Sequence, residues 1–221
     1  GGQDADPVVV DVPIAYVKRP VPPADNPTSP TNLSAAQPGA ALYVRVRAST
    51  TAAEENVTTS VAGEDADIRD LSVSFDGKRM LFSMRIQVLP DVEEEDLPSW
   101  NIWEYEFESR SLRRIIEDLN VAEQGHDRFP QYLPDGRIVF SSTRQTQTAE
   151  VLIDEGRGQF TVPEESRNES AFLLHVMNDD GGDIHQITFG NSHDFYPSIL
   201  SNGQIMFSRW MQGSTIDQLD I

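Results

Sequence analysis

The chain has 221 residues, 36 acidic against 17 basic side chains, a formal charge of −19 and no cysteine. A surface this negative repels phosphate backbones and anionic headgroups, which speaks against nucleic acid as a partner. Without cysteine these residues hold no disulfide, thiolate zinc site, iron–sulfur cluster or covalently attached c-type haem.

The apolar share of 38% is enough for a packed core. No run of about 18 apolar residues is present to span a bilayer. The N-terminus lacks the charged-then-apolar pattern of a signal peptide, so the chain reads as soluble and either cytosolic or already processed. Residues 1–40 read as an extended N-terminal segment. Val8–Val10 and Ile14–Val17 are short β-rich runs separated by Pro13, and at least one is expected to be a strand. From Arg19 to Gln37, repeated proline without an apolar period reads as a polyproline-like linker. In Ala41–Ala48, Leu42, Val44 and Val46 alternate with Tyr43, Arg45 and Arg47, the period of a half-buried strand. A polar loop is expected from there to about Asp65.

An internal repeat fills most of the remainder. HDRFPQYLPDGRIVFSSTR (126–144) and HDFYPSILSNGQIMFSRW (193–210) align without gaps. They share His126/His193, Asp127/Asp194, Pro130/Pro197, Leu133/Leu200, Gly136/Gly203, Ile138/Ile205, Phe140/Phe207 and Ser141/Ser208. DIRDLSVSFDGKRMLFSMR (67–85) is a third, divergent copy with Asp67 at the histidine position. Each copy reads as strand, tight turn, strand, because Asp-Gly or Asn-Gly supplies the positive φ a short hairpin needs. The second strands, MLF, IVF and IMF, are apolar on both faces and require cover from two sides. Between the copies lie hairpins at 101–116 and 172–188. In the first, Trp103, Tyr105 and Phe107 alternate with Glu104 and Glu106, as on a strand nearer a rim.

Two hairpins per unit make a four-stranded blade, and the spacing of Gly77, Gly136 and Gly203 fits blades enlarged by insertions. The expected fold is therefore all-β: residues 41–221 form a partial β-propeller with units near 67–125, 126–192 and 193–221. About two and a half blades form an incomplete ring. An open stack leaves apolar faces and strand edges bare, so the reading favours a piece of a longer chain.

VMNDDGGDIHQIT followed by HDFYPSILSNGQIMFS resembles the repeat of TolB-type propellers, VMNxDG, RxLT, then DxxPxxSPDGxxIxF, over roughly residues 65–210. PIAYVKRP (13–20), DIRDLSVSFDGKRMLFSMR, WNIWEYEF (100–107), YLPDGRIVFSSTRQ and LHVMNDDGGDIHQI resemble more narrowly the hydrazine synthase alpha-subunit family and related bacterial extracytoplasmic proteins, many of them lipoproteins. The resemblance implies a periplasmic or outer-membrane-associated protein, with a lipidated cysteine just upstream of Gly1. In hydrazine synthase the alpha subunit joins a propeller to c-type haem domains and assembles with other subunits to make hydrazine from nitric oxide and ammonium. Any haem of that kind requires chain outside these residues. That family usually continues FSRW with Asp-His, whereas Met211-Gln212 follow Trp210 here.

Imidazole and carboxylate both bind metals, which makes His126, Asp127, His193 and Asp194 candidate ligands. Propeller topology puts them on one face, near the axial mouth, beside Glu93–Asp96 and the insertion 145–171. Equivalent positions on packed sheets sit roughly 10 Å apart, too far for one ion at bonds of about 2 Å. The competing expectation is that each pair caps its own loop by hydrogen bonding to backbone. Glu93–Asp96 offers calcium oxygen ligands without the spacing of a dedicated loop. His175 and His185 read as a cross-strand pair at a blade rim, and Trp100 and Trp103 as packing between blades. No G-x-S-x-G elbow or Walker-type loop occurs. Asn32, Asn56 and Asn168 begin Asn-x-Ser/Thr sequences at about chance frequency. The functional expectation is a non-catalytic binding or scaffold segment whose partner is the rest of its own chain or another protein. The alternatives are part of a multihaem enzyme, or the propeller gate of a prolyl-oligopeptidase-like hydrolase.

Overall fold

The structure, a computed structural model, describes residues 12–21, 33–89, 91–93, 96–148, 155–156, 161–163 and 170–210. Val8–Val10, Asn32, Glu94, Glu95, Asn168, much of the insertion 145–171 and the stretch from Met211 onward lie outside the described residues. The chain divides into two compact units, Gly1–Ile68 with Arg85–Leu97, and Arg69–Met84 with Pro98–Ile221.

In the first unit, β1 (Ile14–Lys18), β2 (Ala41–Arg45) and β3 (Glu54–Asn56) form an antiparallel sheet in that order. Leu42 is fully buried, as its alternation with polar neighbours predicts. The strand stops at Arg45, and the expected polar loop contains β3 and a single helical turn, α1 (Thr59–Ala62). β3 has no apolar period to announce it. It is held by pairing with Tyr43–Arg45 and by Glu54, whose carboxylate accepts from Lys18, Tyr16 and Arg45. Those three donors hold the Glu54 carboxyl down at about 2. Here tertiary pairing overrides local propensity.

The second unit is built from the repeat. β4 (Asp67–Val73), β5 (Arg79–Arg85), β6 (Asn101–Glu106) and β7 (Ser111–Arg114) form one four-stranded antiparallel meander. After the short α2 (Leu119–Ala122) come β8 (Asp127–Tyr132), β9 (Ile138–Ser142), β10 (Leu173–Met177) and β11 (His185–Gln186), which form the next. β12 (Asp194–Ile199) and β13 (Ile205–Arg209) repeat the opening hairpin. The turns close alike: Leu133 N–H bonds Arg137 O at 2.7 Å, and Leu200 N–H bonds Gln204 O at 2.9 Å. Gly136 and Gly203 sit at φ +92° and +83°, where an L side chain is strained. The fold is all-β with four-stranded antiparallel sheets, as the repeat predicts.

The sheets pack face to face because their middle strands are apolar on both sides. Leu81, Ile102, Ile115 and Ile116 of the first meander and its exit meet Tyr132, Ile138, Phe140 and Met177 of the second in one core cluster. On its other face the second meander offers Val139 and Val176, which with Leu133 pack against Ile199 and Ile205 of the third hairpin. Burying a large apolar side chain contributes about 1.5–3 kcal/mol, so these two joints dominate the unit.

Glu104 corrects the rim reading of its strand. β6 is the third strand of its sheet and buried along nearly its whole length, and Glu104 is 4% exposed. Its carboxylate is satisfied by Arg113 Nε at 2.9 Å, Arg79 Nη1 at 3.3 Å and the hydroxyl of Tyr132, from the neighbouring sheet, at 2.8 Å. Trp100 and Trp103 are buried.

Each inner strand also carries one non-glycine residue at positive φ: Asp70 at 60°, Phe129 at 57° and Tyr196 at 53°. In β8 and β12 the residue lies within a register shift, the mark of a bulge. Asp70 accepts a bidentate pair from Arg128 at 2.9 and 3.1 Å. The ring of Phe129 lies 4.4 Å from that of Tyr196. Neighbouring inner strands are thus joined sideways, once by charge and once by aromatic contact.

Candidate functional site

His126 and His193 sit immediately before β8 and β12, at the end of each sheet where the third strands begin. The Trp100 N–H donates to Nδ1 of His126 at 3.1 Å, and the Phe172 N–H donates to Nδ1 of His193 at 3.0 Å. A backbone amide only donates, so each imidazole is neutral at Nδ1 and carries its proton on Nε2. The following residues add a parallel bond: Asp127 N–H reaches Trp100 O at 2.8 Å and Asp194 N–H reaches Phe172 O at 2.7 Å. The imidazoles therefore cap the start of the preceding sheet's third strand, not their own loops as the sequence suggested.

Within its own unit Asp67, the residue at the histidine position of the divergent copy, does the same work. Its carboxylate accepts the Gln37 N–H at 2.9 Å and a guanidinium nitrogen of Arg19 at 3.2 Å. What the repeat preserves at this position is an acceptor for a backbone amide, and His and Asp both supply one.

The aspartates after the histidines are fully buried and each engages an arginine. Arg144 Nε lies 3.2 Å from Asp127 Oδ1 with Nη2 on Oδ2, and Arg209 places Nε and Nη2 at 2.7 and 2.8 Å from Asp194. Burial pushes the Asp127 carboxyl upward, against the pull of Arg144. The Arg144 side chain is 1% exposed and that of Arg209 42%, so the two pairs differ in solvation and not in chemistry. Ser-Thr-Arg and Ser-Arg at the repeat ends were the available signal for these partners.

The Phe172 ring lies within stacking reach of both imidazoles, at 6.5 Å from His126 and 5.9 Å from His193. An ion taken at Nδ1 of either histidine displaces the amide bond. One taken at Nε2 moves the proton to Nδ1, where it faces a donor. Among the described residues no group of three or more His, Asp or Glu is placed to hold a metal. Glu93 and Asp96 are described, while Glu94 and Glu95, the middle of the proposed calcium run, are not.

His175 and His185 are not directly opposed. His175 pairs with Gln186, and His185 with Val176. His185 lies half-buried on the outer strand β11, its Nδ1 3.0 Å from Asp183 O. The rim reading fails for His175, which lies on the third strand, is fully buried and packs on Phe140 at 5.7 Å. Arg128 was not singled out by sequence, yet its guanidinium sits over Trp100 at 4.8 Å and Phe129 at 4.4 Å while paired to Asp70. No helix among the described residues is long and apolar enough to cross a membrane.

No family model matches the sequence, and no curated protein matches it. Solved structures do. The chain is similar to Kuenenia stuttgartiensis hydrazine synthase, at 17% identity and a TM-score of 0.62 over 90% of this chain and 28% of that one. A putative TolB from Agrobacterium tumefaciens matches at 15% identity and a TM-score of 0.49, over 78% of this chain and 47% of that one. TolB from Acinetobacter baumannii matches at 18% and 0.49, over 79% and 33%. The chain thus spans less than half the length of these structures. At 17% identity the likeness to the first of these is one of fold alone, and it agrees with the meander sheets.

Proposed function

We propose that the chain is a non-catalytic segment of an extracytoplasmic β-propeller, of about two and a half blades, that serves as a binding or scaffold domain. The observation that carries this reading is the use already made of its conspicuous polar residues. Nδ1 of His126 and of His193 caps a backbone amide, and Asp127 and Asp194 hold arginines. A site for catalysis needs groups poised toward a substrate, and these are spent on capping the preceding sheet and on pinning their own hairpins. The partner is the remainder of a longer chain, or a protein that completes the ring, with the loops at the histidine end as the docking side. A lipid anchor upstream of Gly1 fits this reading, as the family resemblance implies.

Native mass measurement and affinity capture from the source organism's envelope fraction test it. A stable complex, or a longer chain carrying this segment, is expected. A monomer of these residues alone, recovered without partner, overturns the proposal.

The fold likeness to hydrazine synthase over nine-tenths of this chain favours a second reading, a segment that shapes the pocket of a haem enzyme whose haem domains lie elsewhere. Covalent haem in the native protein, read by its pyridine haemochrome spectrum, separates the two. Its presence selects the enzyme and its absence the scaffold.

A further inference from the structure

His175 is the one described imidazole that is fully buried, and its hydrogen bonding is incomplete. Nδ1 lies 2.8 Å from the carbonyl of Leu173, so this nitrogen carries the proton and donates. Nε2 is buried and has no partner among the described residues.

Among the described residues its surroundings offer none. Opposite it on β11, Gln186 has both ends engaged, with Nε2 on Thr188 O and Thr148 Oγ1 and Oε1 accepting from Thr148. On β9 the neighbour is Phe140, which belongs to the core cluster joining the two four-stranded sheets. From the facing sheet Glu104 is saturated by Arg79, Arg113 and Tyr132, and the unpartnered Ser83 hydroxyl is neutral. The charged groups that act on the ring are Arg144, whose carboxylate partner Asp127 is already taken, and His185 on the outer strand. Both repel a positive charge.

We propose that His175 is an acid-responsive wedge in the joint between sheets β4–β7 and β8–β11, and that acidification separates the two sheets there before the chain unfolds. A charged imidazole needs an acceptor at Nε2 and water around it, and a closed joint supplies neither. Opening the joint supplies both. Burial holds protonation of the ring down at about 4, with Arg144 and His185 adding to the effect and the Leu173 carbonyl opposing it. Above the ordinary imidazole value of about 6.5, folded and open forms bind no proton here and the joint is unaffected. Below it the open form takes up a proton that the closed form refuses, so closure weakens as pH falls from about 6.5 to 4 and the loss levels off beneath that. The inference is independent of the scaffold reading, since it concerns a joint within the chain.

The test compares amide hydrogen-exchange protection, corrected for intrinsic rates, at pH 7.5 and 5.0 in the unaltered chain and in His175→Leu. In the unaltered chain the amides of β9 and β10 are expected to lose about thirtyfold in protection, while in the leucine variant they change by less than about twofold. Nitrogen-15 spectra of the unaltered chain are expected to show the Nδ1–H form of His175 at pH 7.5, and its charging in step with the loss of protection. They decide the matter even if the variant does not fold. Equal losses in both proteins, or a His175 that becomes charged while β9 and β10 stay protected, overturns the proposal.

Discussion

The hairpins β8–β9 and β12–β13 share a sequence pattern down to their turn glycines and differ in what covers them. β9 is buried along its whole length, between β8 and β10 within its sheet and between the core clusters on its two faces. β13, with the same Ile-x-Phe-Ser, alternates between half-buried and exposed. Met206 is 56% exposed, where its counterpart Val139 is inaccessible. The motif therefore fixes the hairpin and its turn, whereas burial comes from the strands and sheets laid against it. Chemically equivalent residues should then carry different free energies in the two hairpins.

The sharpest contrast is expected at the shared phenylalanine. Phe140→Ala opens a cavity in the central cluster and should cost about 3–5 kcal/mol. Phe207→Ala, on a half-buried strand, should cost about 1 kcal/mol. Urea denaturation of both variants measures the difference, and equal costs would break the comparison. Next comes the joint that gives Phe140 its surroundings. Glu104→Leu strands Arg79, Arg113 and the Tyr132 hydroxyl. Both arginines are about a third exposed and can turn to water, so about 2–3 kcal/mol is expected, below the loss for a fully buried pair. If thermal unfolding of that variant matches the parent, Glu104 is not the clamp its geometry describes.

Smaller effects are expected at the turns. A Cβ on Gly136 or Gly203 meets nothing within 4 Å, so valine there acts through the backbone alone. Gly136→Val should cost more than the roughly 1 kcal/mol of a surface change, because a β-branched residue resists positive φ. Gly203→Val should cost a similar amount, since turn strain ignores what covers the strands. Melting temperatures that shift for one variant and not the other would show that cover reaches the turn.

Hairpins and turns were legible because Asp-Gly or Asn-Gly between apolar runs has few structural solutions. Glu104 was not. A carboxylate in an alternating strand reads as solvent-facing, and only the arrival of Arg79, Arg113 and Tyr132 from three other strands makes burial tolerable. His175 failed for the same reason, since its position on a third strand depends on β11 pairing outside it. β3 was invisible because its residues carry no apolar signal and its place is set by Tyr43–Arg45. The His-Asp pairs were found from repetition, but the repeat does not say that the bond to each imidazole comes from the sheet before.

The left-handed residue in each inner strand has a consequence for how such chains diverge. It turns one side chain toward a neighbouring sheet, and φ is nearly the same whether that side chain is Asp70, Phe129 or Tyr196. A joint made by backbone geometry can exchange its cargo, a carboxylate gripping a guanidinium at one seam and ring against ring at another, without redrawing the scaffold. Neighbouring modules can thus carry different fasteners at one and the same backbone position.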